Sequence, residues 1–249
     1  VFDVPLSVLV FVFAAFLLAG FVKGFTGMGL PTVATGLLTI VMTPAQAAGL
    51  LVMPNFVTNI WQAFAGGHLR ALLRRFWPML AGIFVGTAPG AGFLTSNNAG
   101  RAAMALGVML IVYALLALMA VRFRVPKQAE WWMGPAAGAL TGFISVLTGV
   151  FALPLVPYLN ALSLKREELI QTLGLSFLTA SSALALALVR DGALPLSLVG
   201  ASAFALVPAG IGMFIGQRLR QRAHPDVFAR VFAVVLLLIG LHLALRSLI

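Results

Sequence analysis

"GFVKGFTGMGLP", residues Gly20–Pro31, interrupts a chain that is almost continuously apolar on both sides of it. Four glycines, a threonine, a proline and the charge of Lys23 stand between the apolar runs Pro5–Ala19 and Thr32–Met42. The whole chain is 61% hydrophobic and 9% charged, with a mean hydropathy of +1.08. Soluble domains are about 45–50% apolar and about 25% charged, and no soluble fold of 249 residues hides such an excess. The chain therefore reads as a polytopic, all-α membrane protein.

A span takes about 20 apolar residues. Runs near that length are Pro5–Val22, Ala45–Ala65, Phe76–Leu94, Gly100–Val121, Glu168–Val189, Leu194–Gly216 and Phe228–Leu245. Trp131–Leu147 is slightly short, and Leu30–Met42 and Val150–Leu162 suit half-helices or re-entrant arms. Some 8–10 helical segments are expected, with Gly-rich breaks near the midplane. Pro5–Val22 lacks the basic n-region and cleavage site of a signal peptide and reads as a membrane segment. With no cysteine, disulfides and Cys-based metal sites are excluded. The net charge of +10 fits basic cytoplasmic loops rather than nucleic-acid binding.

The break has a counterpart near the midpoint. Set over "TGFISVLTGVF", Thr141–Phe151, the stretch "AGFVKGFTGMG" aligns Gly20 with Gly142, Phe21 with Phe143, Thr26 with Thr148 and Gly27 with Gly149. One inserted residue brings Pro31 onto Pro154, and Gly82 and Gly86 match Gly212 and Gly216. Two membrane repeats are expected, 1–125 and 126–249, within one integral domain. His68–Arg75 is basic where its counterpart "VRDGALP" is neutral, whereas Gln217–Arg230 is basic where "TSNNAGR" has one charge. Opposite bias in equivalent loops implies inverted topology, with the basic loops inside and both termini outside, a common transporter plan.

Irregular backbone survives at membrane depth only inside protein or beside water. Glycine permits the turn, and a proline suits the first turn of the next helix. "TGMGLP" thus predicts a helix from Leu30 or Pro31, and "TGVFALP" one from Leu153 or Pro154. Helix starts present unpaired N–H groups, a ready anion site. Candidate binding residues at the breaks are Thr26, Gly27, Gly29, Pro31, Thr148, Gly149 and Pro154, with Lys23 attracting the anion or snorkelling to the headgroups. Asn55, Thr58, Asn59 and Gln62 fall at i, i+3, i+4, i+7, one helical face of neutral groups. Ser176 and Thr179 hold the matching places in the second half, and interhelical hydrogen bonding is the plainer role for any one of these residues.

All six acidic residues, Asp3, Glu130, Glu167, Glu168, Asp191 and Asp226, lie at a terminus or loop boundary, so no mid-span cation site or proton relay is visible. The histidines have no metal-like spacing, and no Ser/His/Asp set shares one layer. No metal, no cofactor and no enzyme is expected.

"GFVKGFTGMGLPTVATGLL", "TPAQAAGLLVMPNFVTNIWQ" and "GFISVLTGVFALPLVPYL" resemble the sulfite exporter TauE/SafE family of membrane permeases. The resemblance covers nearly the whole chain. It implies a transporter of small sulfur-containing anions such as sulfite, sulfoacetate or other organosulfonates, multi-pass in a bacterial inner membrane. An anion channel and a non-transporting assembly or partner-binding subunit are the alternatives. The expected partners are a small anionic substrate, membrane lipid and a second copy of the chain in a homo-oligomer.

Overall fold

In the computed structural model the described residues are 5–90, 92–94, 99–119, 124–220 and 225–246, without the side chains of 196 and 225–229. Residues 95–98, Asp3, Arg122 and His224, and the side chain of Asp226, lie outside them. The described residues form eleven α-helices and no strand. They are α1 (Leu6–Thr26), α2 (Leu30–Leu38), α3 (Pro44–Leu50), α4 (Val52–Phe64), α5 (Leu69–Thr87), α6 (Ala99–Leu118), α7 (Glu130–Thr148), α8 (Leu155–Ala161), α9 (Arg166–Arg190), α10 (Leu196–Leu219) and α11 (Pro225–Arg246). Four stretches among them are long and apolar enough to cross a membrane: Leu6–Thr26, Ala99–Leu118, Arg166–Arg190 and Ser197–Leu219.

The two breaks close by the same local chemistry. Gly27 ends α1 at φ 86° and donates its N–H to the Lys23 carbonyl. Gly149 ends α7 at φ 75° and donates to Ser145. Both need the left-handed region that only glycine enters without strain. Thr26 Oγ1 then accepts from Met28 N at 3.1 Å, as Thr148 Oγ1 does from Val150 N at 3.2 Å. The chain turns into α2 with Pro31 in its first turn, as expected. The second helix starts later than expected: Pro154 is the residue before α8, which begins at Leu155.

The expected count of 8–10 helical segments is exceeded because the single run Ala45–Ala65 divides at Leu51 into α3 and α4. Pro54 has no N–H to offer the Leu50 carbonyl. Ser202 Oγ of α10 donates to that carbonyl at 2.8 Å and accepts from Met53 N at 2.9 Å. One hydroxyl from another helix thus fills the gap.

Helices pack most extensively as α1 with α10, α5 with α7, α6 with α11 and α4 with α9. The first two pairs run parallel through facing glycines. Gly20 and Gly24 abut Ala209 and Met213, and Gly212 and Gly216 abut the Leu17 and Phe21 carbonyls. Gly138 and Gly142 abut Met79 and Ile83, and Gly82 and Gly86 abut the Pro135 and Ala139 carbonyls. Gly20 therefore plays the part of Gly138, one turn away from the Gly142 that the ungapped alignment gave it. The reason is an extra turn: three positions separate Gly24 from the Gly27 cap, and seven separate Gly142 from Gly149.

Polarity is distributed inside out. Lys23, Asn55, Asn59, Thr141, Ser145, Gln171 and Ser176 are buried, while Phe204, Val85, Leu238 and Val207 are exposed. Apolar side chains outside and polar ones inside suit a lipid surround. A Cβ at Gly212 would overlap the Leu17 carbonyl, whereas one at Gly210, two residues away, meets nothing within 4 Å. Gly212→Ala is expected to cost about 1–3 kcal/mol. Gly210→Ala should be neutral or gain up to about 1 kcal/mol. Melting temperatures in detergent would compare the two.

Candidate functional site

A cleft of about 530 Å³ opens where α1, α4, α9 and α10 end or begin together. Its polar wall is Lys23, Gln62, Glu167, Gln171, Gln217 and Arg220, with Gly27 and Trp61 beside them. Two glutamines build the rim. Gln62 Nε2 donates to the Gly27 carbonyl at 2.8 Å and to the Ile170 carbonyl at 2.9 Å. Gln171 Nε2 answers from α9, donating to Ala63 at 2.7 Å and Gly66 at 2.9 Å, while its Oε1 accepts from His68 N at 3.2 Å. Together they satisfy carbonyls freed at the ends of α1 and α4 and tie them to the start of α9.

Lys23 lies one turn before the α1 break and is only 2% exposed. Its Nζ donates to Asn59 Oδ1 of α4. No carboxylate lies within ion-pair distance of it among the described residues. Asn59 is fully buried, and its Nδ2 has no hydrogen-bond partner among the described residues. An ammonium offers three donors and no acceptor, and an amide nitrogen offers two. The Lys23–Asn59 pair is thus a buried, donor-rich spot with no carboxylate beside it. Snorkelling to the headgroups is not what this lysine does.

The other expected residues divide by how their polar atoms are used. Thr26 and Thr148 close the breaks, and their hydroxyls donate to the Val22 and Ile144 carbonyls of their own helices. Thr58 donates to Pro54, Ser176 to Thr172 and Thr179 to Leu175, each one turn back along the helix. Asn55 is buried with an unpartnered Oδ1. Of the fourteen expected residues, only Lys23, Gly27 and Gln62 reach the cleft, with Asn59 directly behind Lys23. Gly29, Pro31, Gly149 and Pro154 shape the turns. The sequence reading missed Gln171, Gln217, Glu167 and Arg220 as cleft residues. Gln171 carried a usable signal, as a lone glutamine in the apolar run Glu168–Val189. Gln217, Glu167 and Arg220 read as loop-end residues, and only the fold gathers them.

At the other end of the fold a second cleft, about 430 Å³, is bordered by Thr39, Gln46 and Arg246. Thr35 of α2 and Thr39, the residue that follows that helix, are buried with unpartnered hydroxyls.

An all-helical protein with apolar side chains outside and polar ones inside belongs to the class of polytopic membrane proteins. Residues 12–243 match the model of the sulfite exporter TauE/SafE family, and the chain belongs to that family. No curated protein and no solved structure matches it.

A buried lysine with only an amide for company destabilises the fold, because desolvating an unpaired charge costs several kcal/mol. The double variant Lys23→Met/Asn59→Leu removes charge and amide together. It is expected to melt at or above the temperature of the parent without added anion, and to lose stabilisation by anions. A large drop in melting temperature would mean that the pair serves the fold.

Proposed function

We propose that the chain is a secondary permease for small sulfur-containing anions, sulfite and organosulfonates such as sulfoacetate among them, in a bacterial inner membrane. Lys23, with Asn59 at its back, is the seat of the anion. The observation that carries this reading is the burial of Lys23 without a counter-charge, in the wall of a cleft that contains a further cation, Arg220. Water-poor surroundings strengthen a charge–charge attraction, so an arriving anion supplies what the lysine lacks. Family membership supports the substrate class. The second cleft and the partnerless Thr35 and Thr39 support a route to the opposite side.

Two inverted repeats are part of the proposal. Its support is the repeated pattern Pro78–Gly82–Gly86 and Pro208–Gly212–Gly216, each facing the broken helix of the other half. Cysteines placed singly at Arg74, Arg218 and Arg190 test the topology in this cysteine-free chain. The first two should label from the basic, inner side and the third from the outer side; labelling of Arg74 and Arg218 from opposite sides would remove the inverted plan.

Purified protein in liposomes is expected to take up sulfite or a simple sulfonate, and the same anions should raise the melting temperature, since a ligand of the folded state stabilises it. A hydrogen bond to a charged partner is worth about 1.5–3 kcal/mol. Lys23→Gln should therefore weaken binding by about tenfold to a hundredfold. Unchanged affinity in Lys23→Gln and in Asn59→Leu would place the seat elsewhere.

A further inference from the structure

We propose that a groove between α5 and α7, at the basic end of the fold, seats an anionic phospholipid. Its phosphate lies against Lys127 and Arg75, and an acyl chain follows the apolar wall. The groove is separate from the Lys23 cleft, and the inference does not depend on what that cleft binds.

The groove has a volume of about 380 Å³. Arg75, Lys127 and Glu130 border it where α7 starts, and Met79, Trp131 and Pro135 line it further along the two helices. Arg75 Nε and Nη2 donate to the two Glu130 oxygens at 2.6 and 2.8 Å. That fork fixes the guanidinium and leaves its Nη1 without a partner among the described residues. Lys127 is exposed and has no ion-pair partner among them. Arg124, on the preceding loop, is a further exposed cation. Glu168 acts on Arg75 only from beyond ion-pair distance, and its Oε2 is engaged as the cap of α9, accepting from Lys165 N at 3.1 Å.

A second groove, about 470 Å³, occupies the corresponding place between α1 and α10 and is lined by apolar residues throughout. Gly20 takes the part of Gly138, and Pro208 stands before Gly212 as Pro78 stands before Gly82. In that register Leu9 falls on Lys127, Val12 on Glu130, Phe13 on Trp131 and Ala205 on Arg75. Packing two parallel helices in this way therefore does not call for the charges. An exposed ion pair adds little stability either. The charged rim is an addition to one groove of the two, and a ligand of opposite charge accounts for it.

Depth in the membrane says which ligand. All four tryptophans of the chain are at this end: Trp61 near the end of α4, Trp77 on α5, and Trp131 and Trp132 at the start of α7. Each is more than half exposed, at 66%, 63%, 77% and 52%. Exposed tryptophans settle at the level of the lipid headgroups, so Arg75 and Lys127 stand at the phosphate layer with apolar wall running inward from them. Basic pockets between helices at that level suit anionic headgroups. A headgroup with its own ammonium would bring a cation to a rim whose carboxylate Arg75 already holds. A headgroup charged only at phosphate meets the free Lys127 ammonium and the spare Arg75 nitrogen.

The test titrates phosphatidylglycerol, phosphatidylcholine of the same chains, and glycerol phosphate into the full chain in detergent. Bound lipid is read by native mass spectrometry and stabilisation by melting temperature. Phosphatidylglycerol should bind at least about fivefold more tightly than phosphatidylcholine and raise the melting temperature. Lys127→Gln should weaken phosphatidylglycerol binding by about fivefold and leave phosphatidylcholine binding level. Arg70→Gln removes an exposed cation at the same end but outside the groove, and should change binding by less than about twofold. Equal affinity for the two lipids overturns the inference, as does an equal loss in Arg70→Gln, which would mean diffuse surface charge. Stabilisation by glycerol phosphate as strong as that by phosphatidylglycerol overturns it too, because the acyl chain would then have no seat. Failure of every anion to be transported would strike the permease reading and leave this site standing.

Discussion

A helix broken inside lipid releases carbonyl and N–H groups that no water will meet, and each must find a partner within the protein. Three breaks in this chain are closed by side chains placed for that purpose. Thr26 and Thr148 each catch the N–H two residues on, at the ends of α1 and α7. Ser202 bridges the gap that Pro54 opens between α3 and α4. Gln62 and Gln171 serve the exposed ends, where α1 and α4 stop at the cleft. The satisfied breaks make it possible to keep a lysine one turn away from irregular backbone.

The same constraint explains the glycines. Lipid tails are as apolar as leucine, so helices in a membrane gain little from burying apolar faces and must gain from close packing. The parallel pairs α1–α10 and α5–α7 meet backbone to backbone through eight glycines, which draws the broken helices against the long α10 and α5. Gly27 and Gly149 are different: they turn the chain. The stretch Gly20–Pro31 therefore holds two kinds of glycine, Gly20 and Gly24 for contact and Gly27 and Gly29 for the break.

Sequence alone yielded the all-helical membrane class, both glycine breaks and the α2 start, because each rests on local chemistry: hydropathy over a span, a glycine that must take positive φ, a proline in a first turn. It erred where distant residues decide. The division at Leu51 has a local cause in Pro54, but the group that closes it is a serine about 150 positions away. The one-turn offset between Gly20 and Gly142 depends on which helix each glycine meets, which an ungapped alignment cannot weigh. The polar face Asn55–Gln62 was readable as a face, but its four members have separate fates. Gln62 became a clamp, Thr58 bonded to its own helix, Asn59 met Lys23, and Asn55 kept an unpartnered oxygen.

That division of labour narrows what can contact an anion. A hydroxyl has one proton, and in Thr26, Thr148, Ser176 and Thr179 it is committed to a nearby backbone carbonyl. Such groups can accept a hydrogen bond but have none left to give, and an anion needs donors. The helix starts are no better placed, since Pro31 has no N–H and α8 is only two turns long. Uncommitted donors at the cleft include those of Lys23 beyond its bond to Asn59, and the Asn59 amide directly behind it. Both are buried, and the lysine borders the cleft. The charge that first made Gly20–Pro31 look out of place is therefore the part of it best equipped to meet a substrate, and the glycines, threonine and proline around it are the means of holding it there.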